Sequence, residues 1–200
     1  MTSDQNEVVA KERNKYERMW RHPAYSGYSP GEAALPQFTL PRPGDSLLDA
    51  GCGTGRAGLR FAQRGVNVTL LDLTLMGLDH GEINAARLRS ALHLETLESP
   101  IHELYRATLF DWIYCVDVLE HIPPSLLPRT LDALASITRK GGYLQVACFD
   151  DACGRLINET LHMTVRRPEW WYAEVADRWD VTRDTSDTQY ARFVVGAPHV

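Results

Sequence analysis

A glycine-rich turn is the first segment of the chain whose composition suits ligand binding. Residues 49–55 read D-A-G-C-G-T-G and follow a short apolar run ending at Leu48. Gly51 and Gly53 carry no Cβ, so a ligand can approach their backbone closely. The helix that we expect after this turn offers free N–H groups and a partial positive charge. The segment therefore predicts a ligand site at the carboxyl end of a strand.

Two carboxylates flank this turn and indicate which kind of ligand it binds. Asp49 stands directly before the turn, and Asp72 ends the next apolar run, where an acid can accept hydrogen bonds from ribose hydroxyls. Gly53, Gly55 and Gly58 also fit the dinucleotide pattern G-x-G-x-x-G. A pyrophosphate beside Asp49 is repelled, however, whereas a sulfonium or an amino group is attracted. This favours a cationic cofactor over NAD, which remains an alternative.

The turn resembles the first motif of class I S-adenosylmethionine-dependent methyltransferases, D/E-x-G-x-G-x-G. Asp72 matches that family's ribose-binding acid, and D-V-L-E-H-I-P at 117–123 is similar to a segment that recurs after the fourth strand. The three matches lie in the family's order between residues 44 and 150. The resemblance implies S-adenosyl-L-methionine as the cofactor and methyl transfer as the reaction.

The same resemblance assigns parts of the cofactor to residues of this chain. Asp49, Gly51 and Gly53 would hold the methionine moiety, Asp72 the ribose and Leu73 one face of the adenine. An acid after the third strand would bind the adenine amine, with Glu98 as the candidate and Glu95 as the alternative. A tyrosine of the N-terminal loop, Tyr28, would cover the sulfonium through a cation–π contact. The predicted cofactor-binding set is Asp49, Gly51, Cys52, Gly53, Asp72, Leu73, Glu98, Asp117 and Tyr28.

Two histidines are candidate catalytic bases, because methyl transfer requires removal of a proton from the acceptor. His121 follows the fourth strand, and His162 lies in the run L-H-M-T-V-R-R-P-E-W-W after the fifth. Class I enzymes build substrate-binding insertions at that second place. Arg166 and Arg167 in the same run are a candidate anion clamp. We expect at least one of the two adjacent tryptophans to belong to the core.

A metal site is the weaker interpretation of the segment after the fourth strand. Asp117, Glu120 and His121 form D-x-x-E-H, which is similar to the E-x-x-E-H metal motif of some quinone-pathway O-methyltransferases and small-RNA 2′-O-methyltransferases. The first ligand is shorter here by one methylene group, and the spacing also occurs in relatives without a metal. We therefore expect no metal.

Apolar runs alternate with amphipathic segments along most of the chain and predict an α/β sheet. Helices are predicted at 7–20, 54–64, 76–91, 125–139 and 168–178, and strands at 46–50, 66–71, 92–97, 111–116, 143–149, 179–183 and 190–196. The glycine pair at 141–142 is expected to end the fourth helix. The fold class is therefore a Rossmann-like, mostly parallel seven-stranded sheet with helices on both faces and an antiparallel last strand. The resemblance implies the strand order 3-2-1-4-5-7-6.

Length and charge limit the partners of the protein. The 200 residues fit one domain, which divides into an N-terminal helix with a lid-like loop at 1–43, a cofactor-binding core at 44–150 and a substrate side at 151–200. The formal net charge of −5 is unlike that of proteins that wrap duplex nucleic acid. No apolar run approaches the length of a spanning helix, and no signal peptide is evident. We expect a cytoplasmic monomer or homodimer with reduced cysteines and no membrane contact.

The expected acceptor is a small polar molecule, a nucleotide or a modified base, methylated at oxygen or nitrogen. An RNA or phage-DNA methyltransferase is the alternative, and Arg155, Arg166, Arg167 and Arg192 on one face would support it. An alternative of another class is a partner protein that binds S-adenosylmethionine without catalysis. The loop Y-S-G-Y-S-P-G-E at 25–32 adds a resemblance to a small methyltransferase group often encoded by bacteriophages, which implies no particular substrate.

Overall fold

One seven-stranded sheet organises the part of the chain that the computed structural model describes, residues 3–104 and 109–199. The strands are β1 (Ser46–Ala50), β2 (Asn67–Asp72), β3 (Leu94–Glu98), β4 (Phe110–Val116), β5 (Thr138–Ala147), β6 (Trp179–Asp184) and β7 (Tyr190–Pro198). Their order is β3-β2-β1-β4-β5-β7-β6, and β7 pairs antiparallel with both β5 and β6. The predicted fold class and strand order are therefore confirmed.

Helices lie on both faces of this sheet. They are α1 (Ser3–Trp20), α2 (Pro23–Ser26), α3 (Pro30–Ala34), α4 (Arg56–Ala62), α5 (His80–Arg89), α6 (Leu127–Ser136) and α7 (Pro168–Ala176). Residues of α3, α4 and α5 pack in one apolar layer with Phe38, Phe61 and Tyr114, whereas α6 and α7 pack in a second layer with Trp171 and Trp179. Burial on both faces explains why the central strands read as continuous apolar runs.

Strand β5 begins earlier than the sequence pattern predicts. Thr138 already belongs to it, so the glycine pair at 141–142 lies inside the strand and does not end the preceding helix. Gly141 has φ +141, and a Cβ there would lie 2.0 Å from the carbonyl oxygen of Val195 on β7. Glycine at this point allows the backbone of the neighbouring strand to come close. A single sequence does not distinguish a glycine with this role from a glycine that ends a helix.

The N-terminal loop contains two short helices that the sequence pattern does not predict. Each begins with a proline, Pro23 or Pro30, directly after a capping residue. Nδ1 of His22 accepts from Ala24 N, and Oγ of Ser29 accepts from Glu32 N. Proline suits the first turn of a helix because its missing N–H has no partner there in any case. Pro23 therefore starts a new helix as well as following the end of α1.

Helix α1 is attached to two separate segments near the carboxyl ends of the strands. Arg13 forms an ion pair with Glu98 at the end of β3. On the other side Lys15 Nζ donates to the carbonyl of Thr160 at 3.0 Å, and Arg18 donates to the carbonyl of Ile157 at 2.7 Å. These contacts hold the helix over the edge of the sheet where ligands of such folds bind. In the described ranges no helix is both long and apolar enough to cross a lipid bilayer.

Candidate functional site

A cavity of about 360 Å³ opens at the carboxyl ends of the central strands. One part of its wall is the glycine turn after β1 together with Asp72 and Leu73 after β2. The opposite part comes from the segment after β5, including Phe149 and His162, and from Tyr190 on β7. Residues of α1 and of the N-terminal loop complete the wall. The cavity thus lies where parallel α/β sheets bind their ligands.

The glycine turn has a backbone that only glycine adopts without strain. Gly51 and Gly53 have φ values of +74 and +52. A Cβ at Gly51 would lie 2.4 Å from the side chain of Val118. Glycine at 58 also serves the site, because Gly58 N donates at 2.9 Å to the carboxylate of Asp49 and a Cβ there would lie 2.8 Å from that oxygen.

The two carboxyl groups beside the turn are buried and only partly compensated by hydrogen bonds. Burial raises the pKa of Asp49 to about 7, against the single hydrogen bond from Gly58. Burial likewise raises the pKa of Asp72 to about 6, although Asp72 accepts from Gly53 N at 2.8 Å and from Thr74 N at 3.3 Å. A cationic or hydroxyl-bearing ligand would supply the partners that these carboxylates lack.

Asp117 follows β4 and points toward the same cavity. Its φ of +53 is unusual for a residue with a side chain. Gln145 Nε2 donates to its carboxylate at 2.9 Å, and burial raises its pKa. The strained backbone is thus accompanied by a carboxyl group that lines the cavity.

His121 and His162 lie side by side in the cavity wall, with ring centroids 4.7 Å apart. Nδ1 of His121 lies 3.1 Å from the carbonyl oxygen of Leu161, and Nδ1 of His162 lies 2.6 Å from that of Phe149. A carbonyl oxygen only accepts, so we assign the proton to Nδ1 in both rings. Each Nε2 then carries a lone pair. Burial lowers the pKa of His121 to about 3, which keeps this ring neutral.

The two histidines and the neighbouring Glu120 form a cluster of three potential metal ligands. Glu120, His121 and His162 offer ligand atoms that lie within 4.8 Å of one another. Oε1 of Glu120 accepts from Ala147 N at 2.9 Å, whereas Oε2 is buried without a hydrogen-bond partner. Burial raises the pKa of Glu120 well above its usual value. The cluster takes His162 in place of Asp117, the third member of the set suggested by the sequence.

Most of the predicted cofactor-binding residues line the cavity, but Glu98 does not. Its carboxylate is ion-paired with Arg13 and accepts from Leu75 N at 3.0 Å. Glu95, the alternative, also lies outside the lining. The position of Glu98 therefore indicates a contact that holds α1, and it does not support a contact with adenine. The residues of the predicted set that do line the cavity are Asp49, Gly51, Cys52, Gly53, Asp72, Leu73, Asp117 and Tyr28.

The arginines of the predicted anion clamp also lie outside the cavity wall. Arg166 donates to the carbonyl of Val165 at 2.8 Å and lies over the ring of Trp170. Arg167 precedes α7 and does not line the cavity either. Of the adjacent tryptophans, Trp171 is fully buried and Trp170 is 36% exposed, as expected for one core residue of the pair.

Several aromatic residues of the site are not identified by the sequence motifs. Tyr16 and Trp20 on α1 line the cavity, and their spacing of four residues on one helical face is the only sequence signal for them. The ring of Trp20 covers Gly53, lying 3.3 Å from the position of a Cβ there, and packs on Tyr25 with centroids 4.7 Å apart. These rings close the cavity above the glycine turn.

Comparison with known proteins identifies the family. Residues 21–185 match a family model described as a methyltransferase domain. The chain belongs to this family. Its strand order and its glycine turn are those of class I S-adenosylmethionine-dependent methyltransferases, so the resemblance noted in the sequence is confirmed.

Curated relatives match only part of this methyltransferase domain. A ubiquinone biosynthesis O-methyltransferase of Cronobacter sakazakii is 32% identical over 104 residues, which are 50% of this chain and 41% of that protein. A protein of the same description from Bordetella avium is 33% identical over 104 residues, again 41% of its length. The matches therefore span less than half of these relatives.

Solved structures share the fold across the whole domain. A 1,6-didemethyltoxoflavin-N1-methyltransferase of Burkholderia thailandensis, solved with 1,6-didemethyltoxoflavin and S-adenosylhomocysteine, superposes with a TM-score of 0.71 at 18% identity, covering 100% of this chain and 92% of that one. The N-methyltransferase NodS of Bradyrhizobium japonicum, with S-adenosylhomocysteine, gives 0.64 at 17% identity and covers 92% and 98%. At these identities the similarity shows the fold.

The residues around the glycine turn fit S-adenosyl-L-methionine, the cofactor of the family. This cofactor carries a sulfonium, an amino group, a carboxylate and a ribose diol. Carboxyl groups of a protein suit the sulfonium and the amino group as charge partners and the diol as acceptors. Asp49 and Asp72 place two carboxyl groups at the turn, and the glycines leave the backbone free of side chains. The donor set of the cavity thus agrees with the chemistry of that ligand.

Proposed function

We propose that this methyltransferase domain transfers the methyl group of S-adenosyl-L-methionine to an oxygen or nitrogen of a small-molecule acceptor. One observation carries the proposal: the glycine turn, its two buried carboxyl groups and the His162 ring all line the same cavity. A cofactor at the turn and an acceptor at the histidine would therefore be neighbours. The names of a relative, an O-methyltransferase of ubiquinone biosynthesis, and of a structural neighbour, a 1,6-didemethyltoxoflavin-N1-methyltransferase, support a small molecule as the acceptor.

The cofactor would lie along the first part of the wall. Asp72 would accept hydrogen bonds from the ribose hydroxyls, since its carboxyl is buried at the end of β2 and faces the cavity. Gly51 and Gly53 would leave room for the methionine moiety, and the negative charge of Asp49 would favour its amino group. Leu73 would contact the adenine ring, because it follows Asp72 and lines the same wall.

Three further residues of the wall would enclose the reactive end of the cofactor. Cys52 lies within the turn and is buried, and Asp117 contributes a carboxyl at the end of β4. Tyr28 lines the cavity with 66% of its surface exposed, so its ring is available to cover a sulfonium through a cation–π contact. Residues 1–43 would in this way form the lid, residues 44–150 the cofactor-binding core and residues 151–200 the substrate side.

When bound, the cofactor supplies an electrophilic methyl group on a sulfonium. His162 is the residue that we assign as general base, because its Nδ1–H is held by the Phe149 carbonyl and its Nε2 lone pair remains free. The acceptor O–H or N–H would pass its proton to this Nε2 when the acceptor atom takes the methyl group, and the electrons of the broken S–CH₃ bond would stay on the sulfur of S-adenosylhomocysteine. Water is excluded by the aromatic residues of α1 and of the N-terminal loop, which keeps the charges in a low-dielectric environment.

His121 would act as a positioning residue for His162. Its ring packs edge-on against His162, and its own Nδ1 is held by the carbonyl of Leu161. Because burial lowers the pKa of His121 to about 3, it would stay neutral and would not compete with the sulfonium as a second positive charge. His121 thus fixes the direction of the His162 ring.

The proposal is tested by separating cofactor binding from transfer. Calorimetry should show that S-adenosylhomocysteine binds the purified protein, and incubation with methyl-labelled S-adenosyl-L-methionine and fractionated small-molecule extracts should yield a labelled product. His162→Ala should leave the dissociation constant of S-adenosylhomocysteine within about twofold and lower turnover by roughly 10²- to 10⁴-fold, the usual contribution of a general base.

His80→Ala is the matched control, because His80 is an exposed histidine at the start of α5 and does not line the cavity. It should change neither binding nor turnover. Failure to bind S-adenosylhomocysteine would overturn the proposal as a whole. Undiminished turnover in His162→Ala would remove His162 from the reaction and leave the cofactor site intact. A domain that binds the cofactor but labels nothing would support the non-catalytic alternative.

A further inference from the structure

We infer that the acceptor is an uncharged planar aromatic molecule that carries neither a phosphate nor a carboxylate. This inference rests on the proposed function, since it describes the acceptor half of the same cavity. It goes further because it excludes nucleotides and nucleic acids, which net charge alone leaves open.

The charges of the cavity wall are the first observation. Among the described residues that line it, five carry a carboxyl group and none is a lysine or an arginine. The five are Glu12, Asp49, Asp72, Asp117 and Asp151. Proteins bind phosphate and carboxylate groups mainly through arginine, lysine or clustered backbone N–H groups. Three of the five, Asp49, Asp72 and Asp117, belong to the cofactor half. The acceptor half holds Asp151 and no side-chain cation among the described residues, so an anion there meets a like charge and no cation replaces the water that it loses.

Two cations on elements that line the cavity, Lys15 on α1 and Arg192 on β7, are already engaged with other groups. Lys15 is buried, pairs with Glu12 and donates to the carbonyl of Thr160. Arg192 pairs with Asp187 at 2.6 Å and also donates to the side chain of Gln145. Recruiting either cation to an acceptor anion would break an existing ion pair, so neither is a free anion-binding group.

The aromatic residues of the acceptor half are the second observation. Phe149 is 39% exposed although it is apolar, and its ring lies 5.4 Å from that of Tyr190 and 5.8 Å from that of His162. All three rings line the same cavity. An exposed phenylalanine in a cavity of this kind favours a flat ring stacked upon it, because aromatic pairs gain energy beyond their buried area. The acceptor O–H or N–H would then project from the edge of the ring toward His162.

The two observations together exclude nucleotides and nucleic acids as acceptors. Each phosphate group needs a counter-charge or several donors when it leaves water. Arg155, Arg166 and Arg167 could meet phosphates only outside the cavity, since none of them lines it. A free base or a phenol, by contrast, needs only stacking and one hydrogen-bond acceptor.

Matched pairs of probes test this inference on the protein saturated with S-adenosylhomocysteine. Each pair shares one aromatic ring and differs by an anionic group: catechol against 3,4-dihydroxybenzoate, and guanosine against its 5′-monophosphate. Binding is measured by ligand-observed NMR titration. We expect the neutral member to bind at least roughly tenfold more tightly, as expected for one charge near a carboxylate in a medium of intermediate dielectric constant.

A substitution at the rim of the cavity provides an internal check. Asp151 lines the cavity, and its two oxygens accept from Cys153 N at 2.9 Å and from Gly154 N. Asp151→Asn removes the charge and one of the two acceptor oxygens, so it should bring the two members of each pair about three- to tenfold closer in affinity. Asp184→Asn is the control, because Asp184 makes a similar contact with Ser186 N at 2.8 Å far from the lining. Thermal melting confirms that both variants are folded.

Three results would overturn the inference. One is tighter or equal binding of the anionic member in both pairs. Another is that Asp151→Asn changes the affinity ratio between the two members of a pair no more than Asp184→Asn does. The third is a lack of binding by every neutral aromatic probe at millimolar concentration. None of these results contradicts the proposed function as long as S-adenosylhomocysteine binds. Failure of S-adenosylhomocysteine to bind would contradict the proposed function itself.

Discussion

The pKa of Asp72 provides a quantitative test of its proposed contact with ribose. Burial raises this pKa from 3.8 to about 6, so the carboxyl is fully ionised at pH 8 and about one tenth ionised at pH 5. Ribose hydroxyls need the ionised form as an acceptor. Binding through Asp72 should therefore weaken about tenfold from pH 8 to pH 5, or about 1.4 kcal/mol, and the loss should occur as the pH falls through about 6.

The choice of ligand isolates this group from its neighbour. 5′-Methylthioadenosine contains the ribose but lacks the amino-acid moiety, so its affinity should report Asp72 without Asp49. S-adenosylhomocysteine should show a steeper loss, because burial raises the pKa of Asp49 to about 7 and the amino group would depend on that carboxylate as well. Titration calorimetry of both ligands between pH 5 and pH 8 gives the two profiles.

Asp72→Asn is the variant that decides the matter. It should weaken 5′-methylthioadenosine at pH 8 and remove the pH dependence, since the amide does not titrate in this range. A wild-type profile that is flat between pH 8 and pH 5, or an unchanged slope in Asp72→Asn, would refute the assignment of Asp72 to the ribose.

Three other predictions concern stability. Gly58→Ala should lower the free energy of unfolding by about 1–3 kcal/mol in urea titrations, because its Cβ would lie 2.3 Å from Leu70. The control Gly27→Ala should change that free energy by no more than about 0.5 kcal/mol, because no atom lies within 4 Å of its Cβ. The free energy of unfolding of the ligand-free protein should fall by up to about 4 kcal/mol as the pH rises from about 4 to 7, because folded Asp49 keeps a proton that the unfolded chain releases. Asp49→Asn should remove this pH dependence. Trp171→Ala should cost about 3–5 kcal/mol, since that ring is fully buried; an unfolding midpoint close to the wild-type value would contradict its place in the core.

Local patterns predict the central elements of the fold closely. The runs that become β1 and β4 are mostly apolar, because both of their faces are covered by helices. The leucines of α6 recur on one helical face, and all of that face is buried. The pattern is less informative for glycine, which can either end a helix or allow two strands to come close. Gly141 has the second role, since it lies within β5 against the backbone of β7.

Residues carried by a motif are predicted more readily than residues brought in from a distance. Asp49, Gly51, Gly53 and Asp72 line the cavity because a strand end and its turn are set by neighbouring residues. Glu98 follows the expected strand, yet its carboxylate pairs with Arg13, a residue 85 positions away along the chain. No local pattern encodes that ion pair, since it depends on where α1 crosses the sheet.

The sequence alone determines the Rossmann-like sheet, the glycine turn and its two acids, because strand, turn and helix follow from short-range periodicity and from the absence of side chains at two glycines. Only the tertiary structure decides what surrounds them. It brings Tyr16 and Trp20 to the cavity, sets His162 beside His121 and leaves the arginines of the last fifty residues outside the cavity lining. The charge and shape of the acceptor site arise from side chains that meet only when distant elements pack, and the acceptor is therefore a property of that packing.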